Sequence, residues 1–343
     1  MRRRACAETT DVVRAAGSDT AIPDLMRAPL VGVIVPTRDR QQLVSGAIRS
    51  ALSQQSADIE VCVVDDGSDP PVELSPDLRA DERVRQFRLD RVKGVAAARN
   101  LALRATTAEF IAFLDDDDVW LPGKIERQVA VIQSRGPQTV MVACGFEAWE
   151  GRRLVASFVP PDGVNSGALL AHPCLWPSTV LLRRSALEQA GGFDESLERV
   201  EDWDLWLRIA ELGEIAVIPE VLVDRRWTPL PPSTARDARA VIASRLEARR
   251  RLLPGDRANA LRSSWHCDEA VLLARLGERR AAWRMLLKAW RECPGAPQPL
   301  RGLVRLCTGE RAWALLRRLA PRRAMVRRRA RRPPGPAPAW DGR

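Results

Sequence analysis

Four consecutive aspartates, Asp115 to Asp118, follow the apolar segment Phe110 to Leu114. Mutual repulsion would raise the pKa of some of these carboxyl groups unless a cation neutralises them. Carboxylate oxygens suit Mg²⁺ and Mn²⁺, which proteins hold through one or two carboxylates together with substrate phosphates. The run therefore predicts a divalent cation site that receives a diphosphate. The alternative is an acidic helix N-cap, with Asp117 or Asp118 leading into a helix over Pro122 to Gln133.

A second polar cluster, Asp65-Asp66-Gly67-Ser68, follows the apolar segment Ile59 to Val64. A carboxylate at this position can accept a hydrogen bond from a base N–H or a ribose hydroxyl, and Gly67 permits a tight turn beside a ligand. An ordinary strand-to-loop turn uses the same residue types. Taken alone, the cluster leaves both a nucleoside contact and a simple turn open.

Both clusters depend on the elements that precede them. Leu30 to Val35, Ile59 to Val64 and Phe110 to Leu114 are apolar runs typical of strands buried on both faces. Between them, Gln41 to Gln54 and Val95 to Ala105 have the pattern of amphipathic helices. This alternation predicts an α/β fold with a doubly wound, mainly parallel central sheet and helices on both faces. In such sheets ligands bind outside the carboxyl ends of the strands, where both clusters fall.

The rest of the chain changes character. Residues 139–229 contain short, irregularly spaced strands around Trp149, Phe158 and Thr179 to Leu182. From Thr234 onward the pattern is helical only, interrupted by Gly and Pro. The amphipathic helices predicted there are Arg236–Leu253, Trp265–Leu276, Arg279–Glu292 and Leu300–Leu306.

The net charge of +10 comes from one end of the chain, because residues 311–343 contain eleven arginines and a single acidic residue, Asp341. Nucleic-acid binding would need stacking aromatics or a known motif, and Trp313 alone supplies neither, so no nucleic-acid partner is predicted. Two interpretations stay open. The segment is an inert solvated end, or its apolar residues between Trp313 and Val326 enter a membrane interface while its arginines meet anionic lipid.

Cysteine and histidine usage narrows the class further. Seven scattered cysteines with no C-x-x-C pair argue against a disulfide framework or a zinc site and favour a reducing, cytoplasmic location. His172 and His266 are the only histidines, too few for a multi-histidine metal cage. No segment reaches the about 18 consecutive apolar residues of a membrane span. We expect a cytoplasmic protein, with peripheral binding to the inner face of the membrane as the alternative.

Six ordered motifs resemble the domain of glycosyltransferase family 2, over roughly residues 30–228. A single short motif has a high false-positive rate, but six in order are far more specific. The motifs are Val33–Asp39, Val63–Ser68, Gly94–Asn100, Phe113–Trp120, Gly191–Glu195 and Glu201–Arg208.

The resemblance implies the GT-A fold of nucleotide-diphospho-sugar transferases and a D-x-D motif at Asp115 and Asp117. In that family the motif holds a divalent cation, Mg²⁺ or Mn²⁺, on the donor diphosphate. Asp117 corresponds to the metal ligand, Asp115 to a ribose contact, and Arg99 to an arginine near the donor. The implied donor-binding residues are Pro36, Thr37, Asp39, Asp66, Arg99, Asp115 and Asp116.

The acceptor side is implied at the last motif, with Asp202 as general base and Glu201 and Trp203 beside it. A single carboxylate within hydrogen-bond reach of the acceptor hydroxyl can deprotonate it during inverting transfer. Without the other motifs, Glu201, Asp202 and Asp204 would equally suit an acidic first helical turn. One departure concerns Trp227, which stands where many relatives have a histidine, so a metal ligand from that region is missing.

The implied activity is inverting, metal-dependent transfer of a sugar from a nucleoside diphosphate sugar to a glycan or lipid-linked acceptor, in polysaccharide or glycolipid assembly. A sugar nucleotidyltransferase and a nucleotide-sugar-binding module without turnover are the alternatives. The domain layout expected is a flexible leader that is not a signal peptide, a GT-A domain, a helical C-terminal region and a basic, Pro-rich tail. Their bounds are 1–28, 29–230, 231–320 and 321–343.

Overall fold

The computed structural model describes residues 30–55, 58–171, 174–197 and 201–227, and beyond them residues 266–267, 270, 273–274 and 278–292. Within these residues a nine-stranded sheet is the central element. Its strands are β1 (Val31–Thr37), β2 (Ile59–Asp65), β3 (Val84–Arg88), β4 (Phe110–Phe113), β5 (Val119–Trp120), β6 (Thr139–Glu150), β7 (Arg153–Phe158), β8 (Val180–Arg183) and β9 (Glu214–Arg226).

Helices connect most of these strands. A short 3-10 turn, Pro177–Thr179, precedes β8. The helices are α1 (Gln41–Leu52), α2 (Pro76–Ala80), α3 (Val95–Ala105), α4 (Lys124–Arg135), α5 (Ser166–Ala171), α6 (Arg184–Ala190), α7 (Glu201–Ala210) and α8 (Arg279–Glu292).

The strand order is β3-β2-β1-β4-β8-β6-β9-β5, and β7 pairs with β6. The strands β3, β2, β1 and β4 are parallel, which confirms the prediction for β2, β1 and β4, whereas β3 is an additional strand that the sequence does not predict. The rest of the sheet is mixed, since β8 is antiparallel to both neighbours and only the pair β6 and β9 is parallel. One cause is the two-residue turn between β6 and β7, because a hairpin makes neighbouring strands antiparallel. The predicted α/β class is confirmed, with a mixed sheet.

The register of the parallel strands places the two polar clusters of the sequence close together. Thr37 at the end of β1 pairs with Asp65 at the end of β2, and Ile34 pairs with Phe113 at the end of β4. The loops that follow these three strands therefore leave the sheet at the same edge. That edge receives the two polar clusters of the sequence.

Helices cover both faces of this parallel half. Val33 on β1 belongs to the core with Ile48 of α1, whereas Ile34 belongs to the opposite core with Ala98 and Ala102 of α3. This alternation follows from the two-residue period of a strand. The small alanine side chains of α3 let the helix approach the strand ends closely, which positions its first turn beside the polar loops.

Several predicted bounds agree with the structure. The helices predicted over Val95–Ala105 and Arg279–Glu292 are confirmed at these bounds. The first helix ends at Leu52 instead of Gln54. The short strands predicted around Phe158 and over Thr179 to Leu182 are confirmed as β7 and β8, which have 6 and 4 residues. The prediction of a short strand around Trp149 is wrong, because β6 has 12 residues, and β9 is longer still with 13.

The predicted leader, the helices Arg236–Leu253 and Leu300–Leu306, and the basic tail lie outside the described residues. Of the predicted helix Trp265–Leu276, residues 266–267, 270 and 273–274 are described, and they are helical. Among the helices that the structure describes, none has both the length and the apolar character to cross a membrane.

A buried ammonium group joins α4 to the sheet. Lys124 is fully buried, its Nζ donates to Gln128 Oε1 at 2.7 Å, and it lies 4.0 Å from the centre of the Trp120 ring. Burial lowers the pKa of Lys124 to about 8, because the interior disfavours the charged form. Between the folded and the unfolded pKa, Lys124 is therefore mostly protonated in the unfolded chain and mostly neutral in the folded chain.

We expect the stability of the wild type relative to Lys124→Met to rise with pH in this window. The folded pKa lies below the unfolded one, so protons are released on folding and the gain approaches about 1.4 kcal/mol per pH unit. Urea unfolding at pH 7.5 and pH 10 would measure it. The exposed lysine of α8 provides the matched control, Lys288→Met, whose difference from the wild type should stay flat. A flat difference for Lys124→Met would contradict the prediction.

Candidate active site

A cavity of about 650 Å³ opens at the edge where β1, β2 and β4 end. Its walls come from the loops after these strands, from the first turn of α3 and from β9. Acidic and basic side chains dominate the lining. The lining residues are Pro36, Thr37, Arg38, Arg40, Asp66, Gly94, Val95, Asp115, Asp116, Asp117 and Arg225.

Two of the four aspartates share one arginine. Arg40 Nη1 donates to Asp116 Oδ1 at 2.9 Å and to Asp117 Oδ2 at 2.8 Å. Thr37 Oγ1 donates to Asp116 Oδ2 at 2.7 Å. Burial raises the pKa of Asp116 to about 6, against the opposing effects of Thr37 and Arg40. Burial and the charge of Asp115 also raise the pKa of Asp117. Asp115 to Asp118 are called the acidic turn below. Arg40 supplies its positive counter-charge on the side that faces the cavity.

The counter-charge of Asp115 is Arg99, a buried arginine that does not line the cavity. Arg99 Nη2 donates to Asp115 Oδ1 at 2.9 Å, and Nη1 donates to Glu201 Oε1 at 2.7 Å. The Arg99 side chain is 3% exposed, and its guanidinium lies 5.3 Å from the centre of the Phe193 ring. Arg99 therefore links the acidic turn to α7 and is not among the residues that line the cavity. The donor contact that the resemblance implies for Arg99 would need this arginine to leave its buried position.

The fourth aspartate faces the protein interior. Asp118 accepts hydrogen bonds from Ser178 Oγ at 2.7 Å and from Arg225 Nε at 3.2 Å. Ser178 Oγ also accepts from the backbone N–H of Asp115 at 3.1 Å, and the Ser178 carbonyl accepts from Trp120 Nε1 at 2.9 Å. Ser178 thus contacts the first and the last residue of the acidic turn. Through these contacts the 3-10 turn helps to fix the shape of the acidic turn.

The alternative of an acidic helix cap is wrong. The helix α4 begins at Lys124, two residues after the predicted start, and Gly123 occupies its N-cap position. The strand β5 lies between Asp118 and this helix. The carboxylates of the acidic turn therefore do not accept hydrogen bonds from the first N–H groups of α4. They pair with side chains from other elements instead.

The cluster at the end of β2, Asp65 to Ser68, mainly holds neighbouring loops in place through hydrogen bonds. Asp66 accepts from the N–H groups of Lys93 at 2.7 Å and Gly94 at 2.9 Å, which fixes the start of α3. Burial opposes ionisation of Asp65, yet hydrogen bonds from Ser68 and Val72 lower its pKa overall. Asp66 lines the cavity, but both of its oxygens already accept backbone hydrogen bonds. The structure therefore confirms the turn, and the nucleoside contact of Asp66 stays a prediction.

The turn at Gly67 leaves no room for a side chain. Gly67 has a φ of +69°, and a Cβ there would lie 2.6 Å from the backbone of Arg91 and Val92. Glycine is the residue that tolerates both this conformation and this close approach. The loop after β2 is therefore held tightly against the segment that leads into α3.

Asp39 lies at the rim and is not a lining residue of the cavity. Its backbone N–H donates to Ser68 Oγ at 2.9 Å, and its Oδ1 accepts from the N–H of Asp69 at 3.2 Å. These bonds tie the loop after β1 to the loop after β2. The predicted donor contact of Asp39 stays a prediction, and the structure adds a role in joining the two loops.

The acceptor-side residues form the first turn of α7. Asp202 Oδ1 accepts from the N–H of Trp203 at 2.8 Å. Burial and the neighbouring Glu201 raise the pKa of Asp202, while Arg99 opposes them. Trp203 is 2% exposed and its Nε1 donates to the Leu169 carbonyl at 2.7 Å, so the ring packs in the core and offers no free face to a sugar.

The charges around the cavity suit a cation that is shared with a ligand. In the part of the chain that the structure describes, no group of three or more His, Cys, Asp or Glu side chains is placed to hold a metal ion alone. The Asp117 carboxylate lines the cavity and is 19% exposed. One carboxylate plus phosphate oxygens is a usual environment for Mg²⁺ or Mn²⁺, so the residues present fit such an ion together with a diphosphate.

The sequence predicts no role for four residues of the site, which are Arg38, Arg40, Ser178 and Arg225. Arg40 follows directly after Asp39, and a basic residue beside a predicted anion site was a usable signal. Arg225 packs against the rings of Phe146 at 5.2 Å and Trp176 at 5.7 Å, a contact visible only in three dimensions. Ser178 had no sequence signal, because its partners lie about sixty residues earlier in the chain.

Trp227 and His172 bear on whether a histidine takes part in the metal site. The backbone N–H of Trp227 donates to the Trp149 carbonyl at 2.6 Å, and its ring is 48% exposed. A tryptophan offers no metal-binding lone pair at this position. His172 lies outside the described residues.

Comparison with known proteins identifies the family of this architecture. The sequence profile of "Glycosyl transferase family 2" matches residues 32–191. An Escherichia coli protein, UDP-Glc:alpha-D-GlcNAc-diphosphoundecaprenol beta-1,3-glucosyltransferase WfgD, is 31% identical over 189 residues, which cover 55% of this chain and 73% of that protein. An uncharacterized glycosyltransferase of Rickettsia typhi is 30% identical over 206 residues, 58% of this chain. The alignment covers 64% of the Rickettsia protein's own length.

Solved structures show the same fold. The crystal structure of S. aureus TarS residues 1–349 is similar with a TM-score of 0.58 and 19% identity, over 77% of this chain and 81% of that one. A crystal of the same TarS fragment in complex with UDP-GlcNAc gives a TM-score of 0.52 at 18% identity, over 80% of each chain. At this identity the likeness concerns the fold, and it confirms the predicted GT-A class.

We expect Ser178→Ala to weaken nucleotide binding by loosening the acidic turn. The variant removes the hydroxyl that bonds to Asp118 and to the N–H of Asp115, and a lost hydrogen bond costs roughly 1 kcal/mol, or about fivefold in affinity. Isothermal titration with UDP and Mn²⁺ would measure the change. Ser178→Thr, which keeps the hydroxyl, should recover most of it.

Thr179→Val is the matched control, because Thr179 Oγ1 donates to the Trp176 carbonyl at 2.7 Å inside the same 3-10 turn. This variant should lower the melting temperature and leave the affinity for UDP unchanged. Equal losses of affinity in Ser178→Ala and Thr179→Val would show that any loosening of the 3-10 turn weakens binding and that the Ser178 hydroxyl has no specific role.

Proposed function

Because the chain belongs to glycosyltransferase family 2, we propose that it transfers a sugar from a nucleoside diphosphate sugar to an acceptor hydroxyl. The observation that carries this proposal is the cavity at the strand ends, where Asp117 faces the same space as Arg38, Arg40 and Arg225. A carboxylate for a cation and guanidinium groups for phosphate oxygens are the two parts that a diphosphate site needs.

The donor that we propose is a uridine diphosphate sugar. WfgD is named as a transferase that uses UDP-Glc, and TarS has been crystallised with UDP-GlcNAc. The acceptor that we propose is lipid-linked, since WfgD acts on a GlcNAc-diphosphoundecaprenol. Such an acceptor would place the protein at the inner face of a membrane during assembly of a surface polysaccharide or glycolipid.

A divalent cation, Mg²⁺ or Mn²⁺, would neutralise the charge that develops on the leaving nucleoside diphosphate. Asp117 would hold it from the protein side. Asp115 would contact the ribose, and its alignment depends on Arg99 and on the Ser178 hydroxyl. Thr37 and Asp116 form the floor of the site through their mutual hydrogen bond, and Pro36 and Asp66 bound the nucleoside end.

Asp202 would act as the general base. Inverting transfer requires the acceptor hydroxyl to lose its proton as it attacks the anomeric carbon from the face opposite the leaving group. A carboxyl group whose pKa is raised by burial and by Glu201 is better matched to a proton from a hydroxyl than an ordinary aspartate. Glu201 and Arg99 would orient this group, because they connect α7 to the acidic turn.

Asp202→Asn and Asp117→Asn separate the two roles. We expect Asp202→Asn to lower turnover by at least about a hundredfold, with nearly unchanged affinity for UDP and Mn²⁺, because the amide cannot accept a proton. Asp117→Asn should lower both turnover and the affinity for Mn²⁺ in the presence of UDP. The assay measures UDP release from UDP-glucose or UDP-GlcNAc with a synthetic GlcNAc-diphospholipid acceptor, and titration calorimetry measures binding.

The pH profile gives an independent readout. The wild-type rate should fall as the pH drops through the raised pKa of Asp202, since the base must be unprotonated. Turnover that survives in Asp202→Asn would remove it as the base. Release of pyrophosphate would indicate a nucleotidyltransferase, and binding of UDP-sugars without any consumption across acceptors would indicate a module without turnover.

Arg40→Gln tests the balance of charge at Asp117. Arg40 and a divalent cation would compete for the same carboxylate, so removal of the guanidinium should tighten Mn²⁺ binding in the presence of saturating UDP. Arg40 is 49% exposed, and an exposed ion pair of this kind corresponds to a change of roughly two- to fivefold. Titration of free Mn²⁺ by electron paramagnetic resonance would measure it.

Arg38→Gln is the matched control, because Arg38 lines the same cavity but pairs with Asp39 at 3.3 Å. It should change the affinity for Mn²⁺ less than Arg40→Gln does. Equal shifts in both variants would indicate only the general charge of the cavity. Weaker Mn²⁺ binding in Arg40→Gln would show that Arg40 helps to hold Asp117 in place for the cation.

A further inference from the structure

The helix α8 has two apolar sides. One side is buried, since Ala282, Leu286 and Ala289 pack with Cys267 and other residues of the preceding helical segment. These positions follow the helical spacing of three and four residues that a packed face requires. Their burial accounts for one side of the helix and leaves the other to be explained.

The second side is exposed and also apolar. Trp283, Leu287 and Trp290 are 39%, 46% and 56% exposed. Their spacing of four and three residues puts them in one stripe along the helix. Two tryptophans and a leucine in a continuous exposed stripe are costly in water, and such patches usually mark a surface that meets an apolar partner.

Among residues 279–291 of α8, whose exposure the structure describes, the other exposed side chains are all basic. They are Arg279, Arg280, Arg284, Lys288 and Arg291. No acidic side chain is exposed in this range. The exposed face therefore combines an apolar stripe with a wholly positive border.

We propose that this face of α8 docks on an anionic lipid surface. A bilayer interface offers an apolar layer for the stripe and negative headgroups for the border at the same depth, and tryptophan favours that region. Single-stranded nucleic acid could stack on the tryptophans but has no apolar contact for Leu287 between them. An acidic protein would satisfy the border and leave the stripe in water unless it were apolar too.

This surface is distinct from the basic segment 311–343, which lies outside the described residues. It is also independent of the proposed transfer reaction, because vesicle binding requires no substrate and no turnover. A lipid-linked acceptor would nevertheless make such docking useful, since it would bring the cavity close to the acceptor.

The test uses the full chain and sedimentation with vesicles of phosphatidylcholine alone or mixed with phosphatidylglycerol. We expect binding to the anionic vesicles only. The triple variant Trp283→Ser, Leu287→Ser, Trp290→Ser should lower the affinity roughly tenfold with the basic segment still present. Leu287→Glu, a single change at an exposed position, should weaken binding as well.

The control is Leu154→Ser on β7, where the leucine is also 46% exposed but belongs to the central sheet. It should leave vesicle binding unchanged. The triple variant should also keep the wild-type melting temperature, because its side chains are exposed. Brominated lipids should quench the tryptophan fluorescence of the wild type more than that of the triple variant.

Four results would each overturn the proposal. Unchanged vesicle binding in the triple variant would assign binding to other basic segments. A large drop in melting temperature would show that the chain itself covers the stripe. A dimer that the triple variant converts to a monomer would indicate a second copy as the partner. Binding of single-stranded nucleic acid that depends on the tryptophans, without vesicle binding, would indicate a nucleic-acid surface.

Discussion

The repulsion among the carboxylates of Asp115 to Asp118 constrains the structure around them. Like charges in neighbouring residues disfavour ionisation unless counter-charges or hydrogen-bond donors lie within a few ångströms. Here the partners come from distant parts of the chain: Arg40 after β1, Arg99 in α3, Ser178 in the 3-10 turn and Arg225 in β9. The acidic turn can keep its shape only when the sheet has assembled all four elements. The site is therefore a property of the whole fold.

Stability alone does not explain this arrangement. Burial of an arginine such as Arg99 carries a desolvation cost that pairing with Asp115 and Glu201 offsets at best, and apolar side chains of similar volume often do better. The pairs therefore indicate positional requirements. Arg99 fixes α7, and with it Asp202, relative to the acidic turn. One buried guanidinium thus connects the two proposed reacting sides of the site, through Asp115 on one and Glu201 on the other.

The sequence predicts β1, α1, β2, α3 and β4 of the parallel half, because apolar strands and amphipathic helices alternate there. It does not indicate α2 and β3, which have five residues each and are mostly exposed or only partly buried. Val95–Ala105 is an example of a helix recovered at both bounds. The mixed half is less predictable, since β6, β8 and β9 are paired by contacts between residues distant in the chain. The same difference decides which residues of the site can be predicted from the sequence. Asp66, Asp115 and Asp117 follow strands and could be predicted, whereas Ser178 and Arg225 act through tertiary contacts that no local pattern records.

The charge balance of the cavity links its two proposed ligands. The acidic lining residues Asp66, Asp115, Asp116 and Asp117 face Arg38, Arg40 and Arg225, so the lining is close to neutral and slightly acidic. A diphosphate alone would meet the acidic turn, and a divalent cation alone would find too few protein ligands. Each would supply what the other lacks, since phosphate oxygens would add to the oxygen ligands of the cation and the cation would offset the charge of Asp117 next to the diphosphate. By linkage, each would then raise the affinity for the other by the same factor. On this proposal the site would hold a cation firmly only when the donor is also bound.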